Sequence, residues 1–151
     1  MKRRWPFIKA EVDAIVGQSK FVTGIPKSRR IDKYWVIEAP VYSTADKHQP
    51  IPSLVVTARV IKAVPGIPRG LPSVALLWKG HRIRGIDRNT RHDNPDGSHV
   101  EGWHEHQWSE EHGDSQVIAV HEPQDKDLRG LFKSGLRRWK ISVRDEQQEL
   151  G

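Results

Sequence analysis

Two runs, "YWVIEAPVY" (34–42) and "SLVVTARVIK" (53–62), constrain this chain more than any other feature it has. Both are rich in β-branched and aromatic residues, which fit a pleated, half-buried surface better than a helix. A polar, proline-containing connection separates them. A third stretch, "SVALLWKGHRIRGI" (73–86), reads as a hairpin turning at Lys79-Gly80. Between them "AVPGIPRGLP" (63–72) is irregular, because prolines 65, 68 and 72 remove donors and the glycines loosen the chain. Further strands are expected near 102–108 and in "SQVIAVHEP" (115–123), stopped by Pro123. "TGIPKSRRIDK" (23–33) reads as a basic loop. "RNTRHDNPDGS" (88–98) reads as a turn-rich loop around Asn94-Pro95-Asp96-Gly97.

Helical spacing occurs at both ends. Pro6 suits a first helical position, and Phe7, Ile8, Val12, Ile15 and Val16 recur with helical periodicity up to Gly17. Over 125–140, Leu128, Leu131, Phe132, Leu136 and Trp139 share one side of the wheel. Lys126, Arg129, Lys133, Arg137 and Lys140 occupy an arc of roughly 80° opposite. Gly130 and Gly135 weaken that helix by about 1 kcal/mol each relative to alanine. The expected class is therefore α+β, a mostly antiparallel sheet of about five to six strands flanked by an N-terminal and a C-terminal helix. The 151 residues suffice for one domain over 1–151, with a basic arm at 1–5 and a frayed tail at 144–151. With only 36% hydrophobic residues the core leans on six tryptophans.

Charge is segregated. Residues 92–125 hold nine Asp/Glu and no Lys/Arg, a formal −9, which leaves +15 on the rest of a chain whose total is +6. A basic body attracts polyanions, nucleic acid first. No cysteine is present, so disulfides, thiolate metal sites and a thiol nucleophile are excluded. No apolar run approaches the ~18–20 residues of a membrane span, and "MKRRWPFIKA" lacks the apolar stretch of a secretory signal. A cytoplasmic protein with no membrane partner is the expectation.

The acidic segment contains "HVEGWHEHQWSEEHGD" (99–114), with four histidines and five carboxylates. If 102–108 is extended, His104, His106 and Trp108 share one face, and Trp103, Glu105 and Gln107 the other. Same-face neighbours lie about 6.5–7 Å apart along a strand, so two imidazoles can converge on one ion. Glu110, His92, His99 and His121 are candidates to complete the set. A nitrogen and oxygen set without sulfur suits Zn, Mn, Fe or Ni. The same residues admit other readings: a cross-strand hydrogen-bonding pair, metal-free acid/base chemistry, or an acidic island docked on the chain's own basic helix. An island left unneutralised would raise the imidazole pKa values and make the segment pH-sensitive.

Two resemblances attach to these residues. "HEHQWSE" reads His-x-His-x3-Glu and resembles the first metal motif of the cupin family. That resemblance implies His104, His106 and Glu110 as ligands, although no second cupin motif follows. The succession "HDNPDGSHVEGWHEH" followed by "EEHGD" is similar to a group of small phage and bacterial proteins with no assigned activity. In these a His-x-Asn-Pro-Asp-Gly turn leads to a Gly-x-His-x-His strand, then a Gly-Asp turn and a closing helix. Here the pattern falls on His92, Asn94, Pro95, Asp96 and Gly97, then Gly102, His104 and His106, then Gly113 and Asp114, within 85–140. Glu105 and Gln107 stand where that group has apolar residues. The resemblance implies a mobile-element origin and a toxin, antitoxin or host-takeover setting.

The remaining cations are candidate phosphate contacts: "KRRW" (2–5), "RRID" (29–32), Arg82, Arg84, Arg88 and Arg91, and the stripe Lys126, Arg129, Lys133, Arg137 and Lys140. Three functions follow. One is a toxin-type ribonuclease in which two of His92, His104 and His106 act as base and acid, or His104 and His106 hold an ion, while Arg84 stabilises the phosphate. Another is a non-enzymatic regulator that binds DNA or RNA through the basic helix and a basic protein through the 92–125 island. The third is a cupin-like small-molecule metalloenzyme. Since a −9 segment repels phosphate, a catalytic role for these histidines calls for a cation.

Overall fold

In the computed structural model the described residues are 4–61, 72–123 and 127–144. The class is α+β as expected, but among the described residues the sheet has nine strands rather than five or six. In chain order the elements are α1 (Lys9–Gly17), β1 (Lys20–Val22), β2 (Arg29–Ile31), β3 (Tyr34–Ser43), β4 (Asp46–Ile61), β5 (Ser73–Trp78), β6 (His81–Asp93), β7 (His99–Gln107), β8 (Val117–Ala119), α2 (Leu128–Arg138) and β9 (Ile141–Val143). The sheet order is β8-β7-β6-β5-β4-β3-β1-β9, with β2 beside β3. Every pairing is antiparallel except β1 with β9. The extra strands β1, β2 and β9 have three residues each, too few for alternation to show in a sequence. Residues 88–93, expected as loop, continue β6 instead. Pro65 and Pro68, residues 1–3 of the basic arm, Lys126 and the tail from 145 lie outside the described residues. Among the described residues no helix is long and apolar enough to cross a membrane.

One face of the sheet carries both the helix α2 and the core. Ile37, Ala39 and Val41 of β3, Leu54, Val56 and Ala58 of β4, and Val74, Leu76 and Trp78 of β5 alternate onto this side and are buried. Leu131, Phe132, Leu136 and Trp139 meet them from α2. Gly135 is where the helix comes closest: a Cβ there would stand 2.7 Å from Val74 Cγ2. The residue that costs helix propensity is thus the one that lets helix and sheet touch. The hairpin turn falls at Lys79-Gly80, both with positive φ (51° and 80°), as a tight two-residue turn between twisted strands demands.

α1 starts at Lys9, not at Pro6, because residues 5–7 are used elsewhere. Phe7 stacks on Trp78 at 4.9 Å and meets Trp108 edge-on at 4.9 Å, while Trp5 packs on Trp108 and His81. The other end of α1 is closed by Lys20, only 1% exposed, whose ammonium donates to the carbonyls of Ile15, Val16 and Gln18. Burial first, then the nearby Lys140 charge, pushes its pKa down to about 8.

Glu105 ties α2 to the sheet. It is 3% exposed, and its carboxylate accepts from Arg138 Nε (2.8 Å) and Nη2 (3.2 Å), Trp139 Nε1 (2.8 Å) and Gln107 Nε2 (2.9 Å). The face of β7 that carries Glu105 is therefore a core face despite its polar residues. Burial alone would raise this carboxyl; the hydrogen bonds from Arg138, Gln107 and Trp139, with the Arg138 charge, outweigh it and hold the pKa below the usual range. Replacing Glu105 by alanine should cost about 2–4 kcal/mol in urea unfolding, since it strands buried donors. With a lowered folded-state pKa, the Glu105 contribution is present above ~4.5 and is lost as pH falls through the lower value. Acid should accordingly weaken the wild type more than Glu105→Gln. Equal slopes of stability against pH would contradict this role.

Candidate metal centre

The opposite, open face of β6 and β7 carries the histidines. Cross-strand register places Asp87 against His104 and Gly85 against His106, so these side chains share that face, with Glu105 and Ile86 on the helix side. β6 then bulges between Asn89 and His92, and this extra length puts His92, opposite Val100, onto the same face as His104. Three imidazoles result, with ring centroids 5.0 Å apart for His104 and His106 and 5.4 Å from His92 to each.

Each ring has one nitrogen committed to a backbone carbonyl. His104 Nδ1 lies 2.9 Å from Gly102 O, His106 Nδ1 2.7 Å from Asp114 O, and His92 Nε2 2.7 Å from Ser115 O. A carbonyl only accepts, so the His92 and His104 nitrogens that face one carry a proton, and in a neutral ring the other nitrogen is a lone pair; His106 Nδ1 also meets the Arg82 guanidinium at 3.3 Å, and its Nε2 faces the Asp87 carboxylate as a donor. His104 is 0% exposed, and burial lowers its pKa; the Gly102 carbonyl and the Asp87 charge oppose this without overcoming it. The ring is thus neutral at pH 7, and its Nε2 lone pair stands 2.5 Å from Asp87 Oδ1 without hydrogen-bond geometry. His106 Nε2 lies 3.3 Å from the same oxygen. Two nitrogens and a carboxylate oxygen pressed together repel unless something positive sits among them. A proton on His106 offsets part of this; a divalent ion would do so for both rings.

Asp87, His104 and His106 form a group whose donor atoms all lie within 4.8 Å of one another, and it could hold a metal. Two imidazoles and one carboxylate are a donor set for Zn or for Fe(II), with positions left open. The carbonyl partners of the rings are what metal-ligating histidines commonly have. Asp87 is itself steadied by Arg82, whose Nη1 lies 3.4 Å from Oδ2, and Arg82 also pairs with Asp114 at 2.9 Å. Burial would raise the Asp87 carboxyl; the His106 hydrogen bond and charge, with the Arg82 charge, outweigh it and hold its pKa low. Arg82 lies flat across Gly85, where a Cβ would come within 2.5 Å of its Cδ.

The turn motif builds this arrangement. Asn94 locks the turn to β8, donating to Val117 O and accepting from Val117 N. Asp96 accepts from Ser98 N and Oγ, and Gly97 supplies a φ of 90°. Gly102, with a φ of 82°, turns its carbonyl to His104. The residues of the Asn-Pro-Asp-Gly, Gly-x-His-x-His and Gly-Asp pattern thus act on one cluster.

Several sequence candidates stand apart from it. Glu110 does not join the histidines: its carboxylate accepts from Lys9 N at 2.6 Å, at the positive N-terminal end of α1. His99 and His121 are exposed and outside the group. Arg84 projects from the helix side, opposite Gln107, with Glu105 and Asp13 as its charge neighbours, and so cannot reach a phosphate at His106. Arg88, paired with Trp103, is also on that side, and Arg91 pairs with Asp93. Arg129, Lys133, Arg137 and Lys140 are exposed, but the three on α2 lie across the sheet from the imidazoles. The acidic island is dispersed onto Arg138, Arg82, Arg91 and the start of α1 instead of forming one patch.

Comparison with known proteins returned no match: no family model, no curated protein and no solved structure is similar enough to this chain to lend it an assignment. The reading of the centre rests on its geometry. Titration of metal-free protein with Zn²⁺ or Mn²⁺ should give one equivalent bound per chain. His104→Ala and Asp87→Asn should each weaken binding by tenfold or more, and Glu110→Gln should leave it intact. Retained affinity in Asp87→Asn would rule out this donor set.

Proposed function

We propose that the protein is a divalent-metal-dependent hydrolase of nucleic-acid phosphodiesters, of the toxin type found on mobile elements and acting in the cytoplasm. The observation that carries this reading is the convergence of His104 Nε2, His106 Nε2 and an Asp87 oxygen, with both rings held from behind by carbonyls. An ion there, Zn or Mn by the hardness of the donors, supplies Lewis acidity and lowers the pKa of water at neutral pH. The chain's own residues do the rest. Asp87, 20% exposed, is the member of the group most open to solvent and marks the side from which a substrate enters. Arg82, beside it, offers positive charge to a phosphate oxygen, the role first expected of Arg84. His92, with its Nε2 proton committed to Ser115 O, keeps a free Nδ1 for proton transfer. The +15 of the chain outside 92–125 favours a polyanionic substrate, attracted in a salt-sensitive way. The mobile-element setting is carried over from the resemblance of the 92–114 pattern to small phage and bacterial proteins.

A second reading has its own observation. His104 is 0% and the His106 side chain 6% exposed, as in a metal that only braces a fold. The protein would then be a non-enzymatic nucleic-acid-binding regulator.

Hydrolysis of bis(p-nitrophenyl) phosphate, oligo(U) and oligo(dT) by metal-loaded protein separates the two. The proposal expects turnover abolished by chelation, a fall of ~100-fold or more in kcat for Asp87→Asn, and a fall of ~100-fold for His92→Ala with metal retained. Fully loaded protein that cleaves none of these would leave the regulator.

A further inference from the structure

The open face of the sheet holds more than the metal group. Register carries one row straight across it: Glu38 of β3, Thr57 of β4, Ala75 of β5, Gly85 of β6 and His106 of β7 are successive cross-strand partners. With strands about 4.8 Å apart, the row from His106 to Glu38 spans about 19 Å. Thr57 and Ala75 form the floor of a trench, while Gly85 lies beneath the Arg82 side chain. The flanks carry larger side chains, Arg59 on one side and Leu77 and Arg82 on the other. The groove that results has a volume of about 650 Å³ and also touches Trp5 and Tyr34. Arg82 and Asp114, paired with each other, close one end of it and also contact Asp87 and His106, so the groove ends against the residues that brace the candidate centre.

Its chemistry is specific. The Arg59 guanidinium lies 5.0 Å over the Tyr34 ring and makes no ion pair among the described residues. Lys33 stands 5.6 Å over the same ring, and Arg4 5.1 Å over Trp5. A guanidinium stacked on an aromatic presents a flat, cationic surface, on which a nucleobase can stack while the N–H groups take a phosphate. Thr57 and Ser73 supply hydroxyls between these positions. A duplex is too broad for a trench one residue row wide.

We infer that this groove is a track for single-stranded nucleic acid, which lies across β4, β5 and β6 with its bases toward Tyr34 and Arg59 and delivers a phosphodiester to Asp87, His104 and His106. The inference deepens the hydrolase reading and rests on it for the fate of the strand, but binding can be tested separately. Fluorescence anisotropy of labelled oligo(U) and oligo(dT) of about ten residues, a hairpin duplex and a mononucleotide compares the ligands. The expected result is preference for the single strands over both others. Arg59→Ala and the trench-filling Thr57→Trp should each weaken single-strand binding by about tenfold, with folding checked by circular dichroism and metal content unchanged. Arg129→Glu with Lys133→Glu, on the other face of the sheet, should leave the preference for single strands in place. Equal affinity for duplex, or binding insensitive to both groove variants, would overturn the track. Single-strand binding by a loaded protein that cleaves nothing would overturn only the hydrolase.

Discussion

One carboxylate, that of Asp87, organises the open face of this sheet. Its Oδ1 is approached by two imidazoles and its Oδ2 by Arg82. The rings cannot turn away, because Gly102 and Asp114 hold their far nitrogens. What would be a mild clash in a mobile surface is fixed by backbone. Such an arrangement is costly unless a cation resolves it, and a fold that keeps the cost at one place points to use of that place.

The two faces of β7 show how a single strand serves both fold and site. Glu105 and His106 are neighbours, yet one buries a carboxylate against Arg138 and Trp139 while the other turns to Asp87. Negative charge on the helix side is matched by α2. On the open side it is matched by Arg82 and by whatever joins the histidines. The long-range charge imbalance seen along the chain is therefore resolved locally, pair by pair, and the basic stripe on α2 faces away from the centre.

How much of this was legible beforehand depends on the range of the interaction. The hairpin at Lys79-Gly80, the strands through 34–42 and 53–62, and the shared face of His104 and His106 follow from local pattern. Asp87 does not, because its place opposite His104 is set by register across the β6–β7 hairpin with a bulge in it. A second bulge, at Ile83, separates Arg82 from Arg84: in a regular strand they would share a face, and here they lie on opposite ones. The His-x-His-x3-Glu spacing suggested Glu110, but the chain leaves the strand after Gln107 and closes a turn from Ser109 to Gly113, which carries Glu110 to α1. The nine-strand count was hidden in three-residue strands whose pairing is decided by distant partners.

The claim that Asp87 faces the Nε2 lone pair of His104 is open to direct observation. Long-range ¹H–¹⁵N NMR of the histidine rings reports which nitrogen carries the proton. The account predicts His104 as the neutral Nδ1–H form, with the Nε2 resonances of both His104 and His106 moving when Zn²⁺ or Cd²⁺ is added. A proton found on His104 Nε2, with spectra indifferent to either ion, would contradict it.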